Sequence, residues 1–307
     1  MQTTNFDGSQ IQLPKIAIAE LPSWVRPAES PFLYPPYAKD VGIEQDFLKY
    51  LKLIYPKTVQ DFHKADFIYL PVFWTRLHLT NDYGRSGLAE LQEAVNPWLT
   101  KDVKTFTICQ YDDGPLVELQ ESMVFLGSRQ TKNGLDVPLL ASPMPKQLWN
   151  RKLVNRDIKA SFSGRLATHS IRQQLIEATS EHKEIYFSPR SLRPRSYAAL
   201  LARSKLALSP RGYGGSSFRF FEALQMGAVP WLIGEEDVRP FKSQIDWDSI
   251  SFYSKSVEDF IHRFEELTGQ DIDQRVTNVS LHSDSVWRLG AWCHLLVREL
   301  QFIQEGP

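Results

Sequence analysis

The stretch from Lys205 to Gly234, KLALSPRGYGGSSFRFFEALQMGAVPWLIG, constrains the fold of this chain more than any other segment. KLALSP and AVPWLIG are short apolar runs of the kind buried on both faces in a parallel sheet, and Ser217 to Met226 between them has helical spacing. A strand, turn, helix and strand at this spacing make an open α/β unit, whose ligands lie in the crevice at the carboxyl ends of the strands. The turn RGYGGSS holds three glycines, which let backbone approach a ligand closely. The N–H groups of the following helix's first turn are a ready site for phosphate. At about 100° per residue, Arg219, Glu222 and Met226 share one face, and Phe220, Phe221 and Leu224 share the other. The aromatic face is expected on the sheet and the Arg219–Glu222 face toward the crevice. Spacing alone leaves two readings open. One is an ordinary glycine loop with an i,i+3 surface ion pair worth roughly a few tenths of a kcal/mol. The other is a diphosphate site, with arginines and helix N–H groups stabilising a departing diphosphate and a carboxylate taking two ribose hydroxyls.

The same alternation recurs along the chain. GIEQDFLKYLKLIY (Gly42 to Tyr55) is helical and ends at Pro56, Ala65 to Phe73 is a buried strand, Ser86 to Leu99 a helix, and Val103 to Pro115 a strand ending in an acidic turn. Pro138 to Gln147, rich in Pro and small residues, is the candidate linker. A second series follows: strand at Ala160 to Leu166, helix at Ser170 to Thr179, strand at Glu184 to Ser188, helix at Ser196 to Ser204, and then the segment described above. SVEDFIHRFEEL and VWRLGAWCHLLVREL close the chain as amphipathic helices. Residues 1–45, with Pro22, Pro27, Pro31, Pro35 and Pro36, read as an irregular arm. A length of 307 residues accommodates two domains of roughly 150 residues, and the expected division is 1–150 and 151–307, each Rossmann-like.

Composition closes off several function classes. With 42% apolar and 23% charged residues the chain is a globular protein and not a disordered one, and a net charge of −1 gives no global attraction to nucleic acid or an anionic membrane. Cys109 and Cys293, both in apolar surroundings, read as reduced core thiols, a single disulfide being the alternative. The first twenty residues lack the pattern of a signal peptide, and no apolar run approaches the roughly 20 residues of a transmembrane helix. The expected location is the cytoplasm, with association to a membrane from outside it as a variant of that reading. No G-x-G-x-x-G turn follows the first strand, which argues against a dinucleotide-dependent oxidoreductase.

The order of motifs resembles the exostosin family of glycosyltransferases. Leu208-Ser209-Pro210-Arg211-Gly212, then Ser217-Phe218-Arg219-Phe220, Glu222-Ala223-Leu224-Gln225 and Val229-Pro230 carry the resemblance. Ala65-Asp66 with Leu70-Pro71-Val72, Asp112 with Gly114-Pro115, and Phe162-Ser163-Gly164-Arg165 followed by Arg172 agree with it in order. It is close over about 160–241, patchy over 65–115 and absent from the N-terminal arm; Trp231 and the small pair Gly215-Ser216 depart from the pattern. The resemblance implies an α/β architecture of the GT-B type, two Rossmann-like domains facing each other across a cleft, with the last helix returning to the first domain. It implies an inverting hexosyl- or glucuronosyltransferase in polysaccharide synthesis. The donor would be a UDP-sugar held mainly by the second domain and the acceptor a glycan held by the first, with no metal or other cofactor. Carried onto this chain, Arg165, Arg211 and Arg219 become partners of the phosphates or of a uronate, Gly212, Ser216 and Ser217 line the diphosphate loop, and Glu222 holds the ribose. The missing anchor departs from the eukaryotic members, as expected of a bacterial or viral enzyme or of a trimmed chain. A glycan- or nucleotide-binding module that keeps the fold without turnover is the alternative.

An inverting transfer also needs a base for the acceptor hydroxyl, within about 3 Å of it. Asp112 and Asp113 stand at the end of a first-domain strand and are the candidates, with capping of the turn as the bland alternative. Asp246-Trp247-Asp248 and Asp271-Ile272-Asp273 have an acid-x-acid spacing but follow no clear buried strand, so they read as turn and cap residues. The seven histidines show no metal-ligand spacing. His169 reads as a loop residue near the donor segment, and the basic run Arg190 to Arg195 as either a solvated loop or a contact for anions. Trp287 and Trp292 belong to the packing face of the last helix.

Overall fold

The computed structural model describes residues 12–28, 40–82, 84–99, 102–130, 134–142, 155–188, 192–286 and 290–306. In chain order its first strands are β1 (Ile16–Ile18), β2 (Asp40–Val41), β3 (Thr58–Val59), β4 (Phe67–Tyr69), β5 (Lys104–Cys109), β6 (Met123–Leu126), β7 (Leu135–Asp136) and β8 (Ala141–Ser142). The second half contributes β9 (Ile158–Ser163), β10 (Ile185–Ser188), β11 (Ser204–Pro210), β12 (Val229–Ile233) and β13 (Phe252–Ser254). They form two parallel sheets, in the orders β3-β1-β4-β5-β6-β7 and β10-β9-β11-β12-β13, while β2 and β8 pair antiparallel. The strands are short apolar runs because parallel strands are covered on both faces. Phe67, Ile68, Tyr69, Phe106, Ile108, Leu206, Trp231 and Ile233 are all buried.

The helices are α1 (Ile43–Leu53), α2 (Trp74–Thr80), α3 (Leu88–Val95), α4 (Ser170–Thr179), α5 (Pro194–Arg203), α6 (Phe218–Gln225), α7 (Val257–Glu266), α8 (Gly269–Val286) and α9 (Ala291–Glu305). The last of them crosses back to the first sheet. The ring of Trp292 lies 6.1 Å from that of Phe47 in α1, and Trp292, Cys293, Leu296, Val297 and Leu300 are buried. One continuous apolar core therefore contains Phe47 and Phe106 of the first half together with Phe162, Trp231 and Trp292 of the second. Both cysteines are free and buried.

Two expectations are corrected. Residues 1–45 are not all an irregular arm, since Ile16–Ile18 is an inner strand registered with both Thr58 and Phe67. Three residues are too few to show a period. The closing helix does not begin at Val286: α8, mostly polar apart from positions such as Ile272 and Val279, ends there, and α9 starts after Gly290 at φ 96°. Trp231, which departs from the family pattern, is a core residue stacked on Phe252 at 4.5 Å, its Nε1 donating to Ser254 Oγ at 3.1 Å. Of the candidate linker, 143–147 lies outside the described residues, and Ala141–Ser142 is a strand. Trp287 and Arg190 also lie outside them.

Candidate active site

In the second sheet the strand order reverses between β9 and β11, since β9 connects to β10 on one side while β11 takes up the other. Such a switch point opens the ligand crevice of a doubly wound sheet. Its two walls here are Ser163-Gly164-Arg165 and Pro210-Arg211-Gly212, both segments in which the sequence places site residues. A buried guanidinium joins them. Arg172 of α4 donates to the carbonyls of Arg211 at 2.8 Å, Pro210 at 3.2 Å and Arg165 at 2.9 Å. A Cβ on Gly212 would lie 3.0 Å from Arg172 Nη2, so the loop rests directly on this cation.

Arg219 reaches across the crevice from α6. Its Nε donates to Ser163 O at 2.5 Å, its guanidinium stands 5.5 Å from the centre of the Phe162 ring, and Nη1 lies 3.4 Å from Ser217 Oγ. Any side chain at Gly164 would overlap that guanidinium, the nearest part of which is under 3 Å from a built Cβ, so the glycine is required for this path. Ser217 caps α6, its Oγ accepting from the Arg219 backbone N–H at 3.4 Å, and both Ser217 and Ser216 are buried. Arg211 is also buried, its Nη1 donating to Glu235 at 2.7 Å. The Arg165 side chain is exposed. Burial works against ionisation of Glu235, but the Arg211 contact prevails and holds its carboxyl below the usual value. His169 caps α4 through Nδ1, which accepts from Ile171 N at 3.2 Å; burial and the nearby Arg211 charge lower its pKa.

The Arg219–Glu222 face is more covered than the helical spacing predicts. Glu222 is 3% exposed and lies beside the buried Tyr197 hydroxyl of α5. Burial and the Glu222 carboxylate push the Tyr197 phenol well above its ordinary value. The aromatic face behaves as the spacing predicts, with Phe220, Phe221 and Leu224 buried.

The glycine loop is docked against the first sheet. The backbone N of Gly215 donates to Arg129 O at 3.1 Å, and a Cβ on Gly215 would overlap that same carbonyl. A Cβ on Gly214 would collide with Ser128 and lie 2.7 Å from Asp112 Oδ1. Arg129 holds this junction from the other side through a bidentate pair with Asp136, at 2.7 and 2.9 Å, and stands 3.9 Å from Glu236. The carboxyl ends of β5 and β6 thus face that of β11, and Asp112 lies beside the loop. Burial pushes the Asp112 carboxyl up to about 6, with the Ser128 hydroxyl and Arg211 opposing the rise and Asp113 adding to it. Asp113 is exposed and accepts from Gln130 Nε2 at 2.9 Å.

The structure therefore brings Arg211, Gly212, Ser217 and Arg219 to one crevice, with Ser216 buried in the same loop, Glu222 buried beside Tyr197, and Asp112 close to Gly214. Sequence reasoning missed Ser128, Arg129, Tyr197 and Glu235, which act across the fold and carry no local motif. Asp246 precedes a short 3-10 turn, Asp248 pairs with Arg239 at 2.9 Å, Asp271 accepts from Thr268 at a helix start, and Asp273, inside that helix, pairs with Lys205 at 2.6 Å. Among the described residues, no three His, Cys, Asp or Glu side chains gather as a metal site, and no helix is long and apolar enough to cross a membrane.

The Exostosin GT47 domain model matches residues 35–261. The chain belongs to the exostosin GT47 family. This exostosin-family chain is 45% identical over 58 residues to Exostosin-1 of Drosophila melanogaster, a match covering 19% of this chain and 8% of that protein. It is 28% identical over 107 residues to a probable glucuronosyltransferase of Oryza sativa subsp. japonica, covering 31% of this chain and 25% of that protein. Among solved structures it is similar to Anabaena HepE in complex with UDP-glucose, at 9% identity and a TM-score of 0.41, over 94% of this chain and 99% of that one. The match to each of the two curated relatives spans a quarter or less of that protein's length.

Proposed function

We propose that this exostosin-family chain is an inverting glycosyltransferase that moves a sugar, glucuronic acid or another hexose, from a UDP donor to a glycan acceptor. The observation that supports it best is the crevice between β9 and β11, where Arg219 crosses one wall and Arg172 lies under the other, with Asp112 held beside the glycine loop. A diphosphate leaving group gains charge as the glycosyl bond lengthens. In this reading Arg211 and Arg219, the N–H groups at the start of α6 and the exposed Arg165 stabilise that charge, so the departure is served without a bound metal. Glu222 takes the ribose hydroxyls once the donor opens a path past Arg219.

The acceptor oxygen attacks the anomeric carbon from the face opposite the phosphate, the carbon–phosphate-oxygen bond breaks, and UDP leaves with the electron pair. Asp112 takes the hydroxyl proton. A carboxyl pushed up to about 6 by burial retains more affinity for that proton than an exposed aspartate and is still ionised at neutral pH. The names of the relatives support glucuronic acid as the first donor to test.

The test is a panel of UDP-sugars with glycan acceptors, scored by UDP release and by anomeric configuration of the product. Transfer from at least one donor is expected. Asp112→Asn should lower kcat by about 10²- to 10⁴-fold while UDP still binds. Retention of configuration would sink the inverting mechanism. Absence of turnover with intact UDP or glycan binding would identify a binding module instead.

A further inference from the structure

The turn that carries Asp112 is held from beneath by a carboxylate that the transfer itself does not use. Glu44, in the first turn of α1, is 2% exposed. Its Oε1 accepts from the backbone N of Gln110 at 2.9 Å, from Thr75 Oγ1 at 2.8 Å and from Thr75 N at 3.2 Å, while Oε2 takes a longer share of Thr75 N at 3.3 Å. Gln110 returns the contact, its Oε1 accepting from Ile43 N at 3.1 Å. Two residues after Gln110 comes Asp112.

The other loop that meets the glycine loop stands on the same support. Gly127 precedes Ser128 and Arg129, and its N–H donates to Cys109 O at 2.9 Å. A Cβ on Gly127 would lie 3.0 Å from Ile43 Cδ1 and 3.4 Å from Gln110 Cα. The first turn of α1 therefore underlies both segments that touch Gly214 and Gly215.

The donors to Glu44 are two peptide N–H groups and a hydroxyl, none of them cationic. Cys109 and Tyr69 are its titratable neighbours, and the Tyr69 hydroxyl donates to the Glu44 carbonyl at 3.3 Å. Burial raises the Glu44 carboxyl to about 7 against the pull of these hydrogen bonds. A buried carboxylate without a cationic partner is an expensive way to fill space, and an apolar residue there would leave three donors unpaired.

We propose that Glu44 is a positioning residue for the transfer, fixing the Gln110 N–H and through it the placement of Asp112 against the donor loop. This rests on the reading of Asp112 as the base. Glu44 touches neither donor nor acceptor, so its loss should act on kcat alone.

The experiment compares steady-state transfer and calorimetric UDP binding for Glu44→Leu, Glu44→Gln and Asp112→Asn. Glu44→Leu should lower kcat by about 10- to 100-fold, the scale of a misplaced reacting group, with donor KM and UDP affinity within about twofold of the parent. Glu44→Gln keeps an acceptor where Oε1 stands and should restore kcat to within about threefold. A kcat unchanged in folded Glu44→Leu would overturn the proposal, as would an equal loss of UDP affinity or a failure of folded Glu44→Gln to rescue. Should Glu44→Leu not fold, Thr75→Ala removes one donor from the same carboxylate, and a kcat unchanged there also overturns it. Full transfer by Asp112→Asn would instead defeat the base assignment, whatever Glu44 does.

Discussion

Two turns meet at the centre of this molecule, and they are built with opposite charges. The glycine turn after β11 rests on Arg172, which donates to three carbonyls, of Arg165, Pro210 and Arg211. The acidic turn after β5 rests on Glu44, which accepts from the peptide N–H groups of Gln110 and Thr75. Both organisers are single buried side chains on the helix beside the turn. A cation beneath the glycine turn neutralises carbonyl dipoles that would repel phosphate and adds positive potential to the crevice. A hydrogen-bond-accepting carboxyl beneath the acidic turn adds no positive potential for phosphate and is suited to holding a proton acceptor in place. The contrast divides the labour of the proposed transfer: the second sheet carries the leaving group and the first the base.

Removing the cationic organiser should have the largest structural effect. Arg172→Met leaves three carbonyls without their donor in a buried setting, and a loss of about 3 kcal/mol or more of stability is expected from urea unfolding. UDP affinity should fall by more than about tenfold, whereas Glu44→Leu leaves it unchanged. Equal effects of the two variants on UDP binding would erase the division.

The junction between the turns is the next place to press. Gly215→Ala sets a methyl group against the Arg129 carbonyl, which is backbone and has little room to retreat. Overpacking of this kind costs about 1–3 kcal/mol. Since Gly215 N–H also bonds Arg129 O, the expected outcome is separation of the loop from Asp112, with kcat reduced more than UDP affinity. A variant with parental kcat would show that the two turns need not touch during turnover.

How much of this was legible follows the same division. The glycine turn is read from sequence because it concentrates its meaning in one stretch: strand, three glycines, helix, strand, with Arg219 and Glu222 at i and i+3. The acidic turn is a plain strand end, and its partners Glu44, Ser128 and Gln130 come from distant positions with no shared spacing. Glu44 stands at i to Phe47, Leu48 and Leu51 at i+3, i+4 and i+7, so spacing puts it on the buried face, but only the fold shows which donors its carboxylate meets there. For Glu222, helical spacing gives the face but not the cover it has beside Tyr197. Strand β1 was lost for want of length, and α8 for want of apolar residues.

The two raised carboxyls give a smaller, graded effect with a definite sign. Asp112 is pushed up to about 6 and Glu44 to about 7, against ordinary values near 4 in the unfolded chain. Between those limits each of these two carboxyls binds more protons in the folded state, so its contribution to stability falls as pH rises from about 4.5 to 7, by up to about 1.4 kcal/mol per pH unit, while the lowered imidazoles of His78, His169 and His294 contribute with the opposite sign. Activity should run the other way, rising through about pH 6 as Asp112 ionises. Urea unfolding at pH 5 and pH 7 checks the first statement, and Glu44→Gln should flatten the slope over the upper part of the window. A slope that Glu44→Gln leaves unchanged would mean that the fold does not raise the Glu44 carboxyl.

The smallest effect expected is also the one that guards the comparison. Asp248 of the Asp246-Trp247-Asp248 triplet pairs with Arg239 at 2.9 Å, and its side chain is 83% exposed. Arg239 keeps a bidentate hold on Asp237, at 2.9 Å to each oxygen, when Asp248 is gone. An exposed pair of this kind contributes about 0.2–1 kcal/mol, so Asp248→Ala should shift the urea midpoint only slightly. UDP affinity, kcat and the response of kcat to added divalent cations should all match the parent. If Asp248→Ala instead abolished turnover in a folded protein, the second sheet would be supplying a catalytic acid as well as the charge for the diphosphate. The assignment of the two tasks to two oppositely organised turns would then be wrong, even with Asp112 essential.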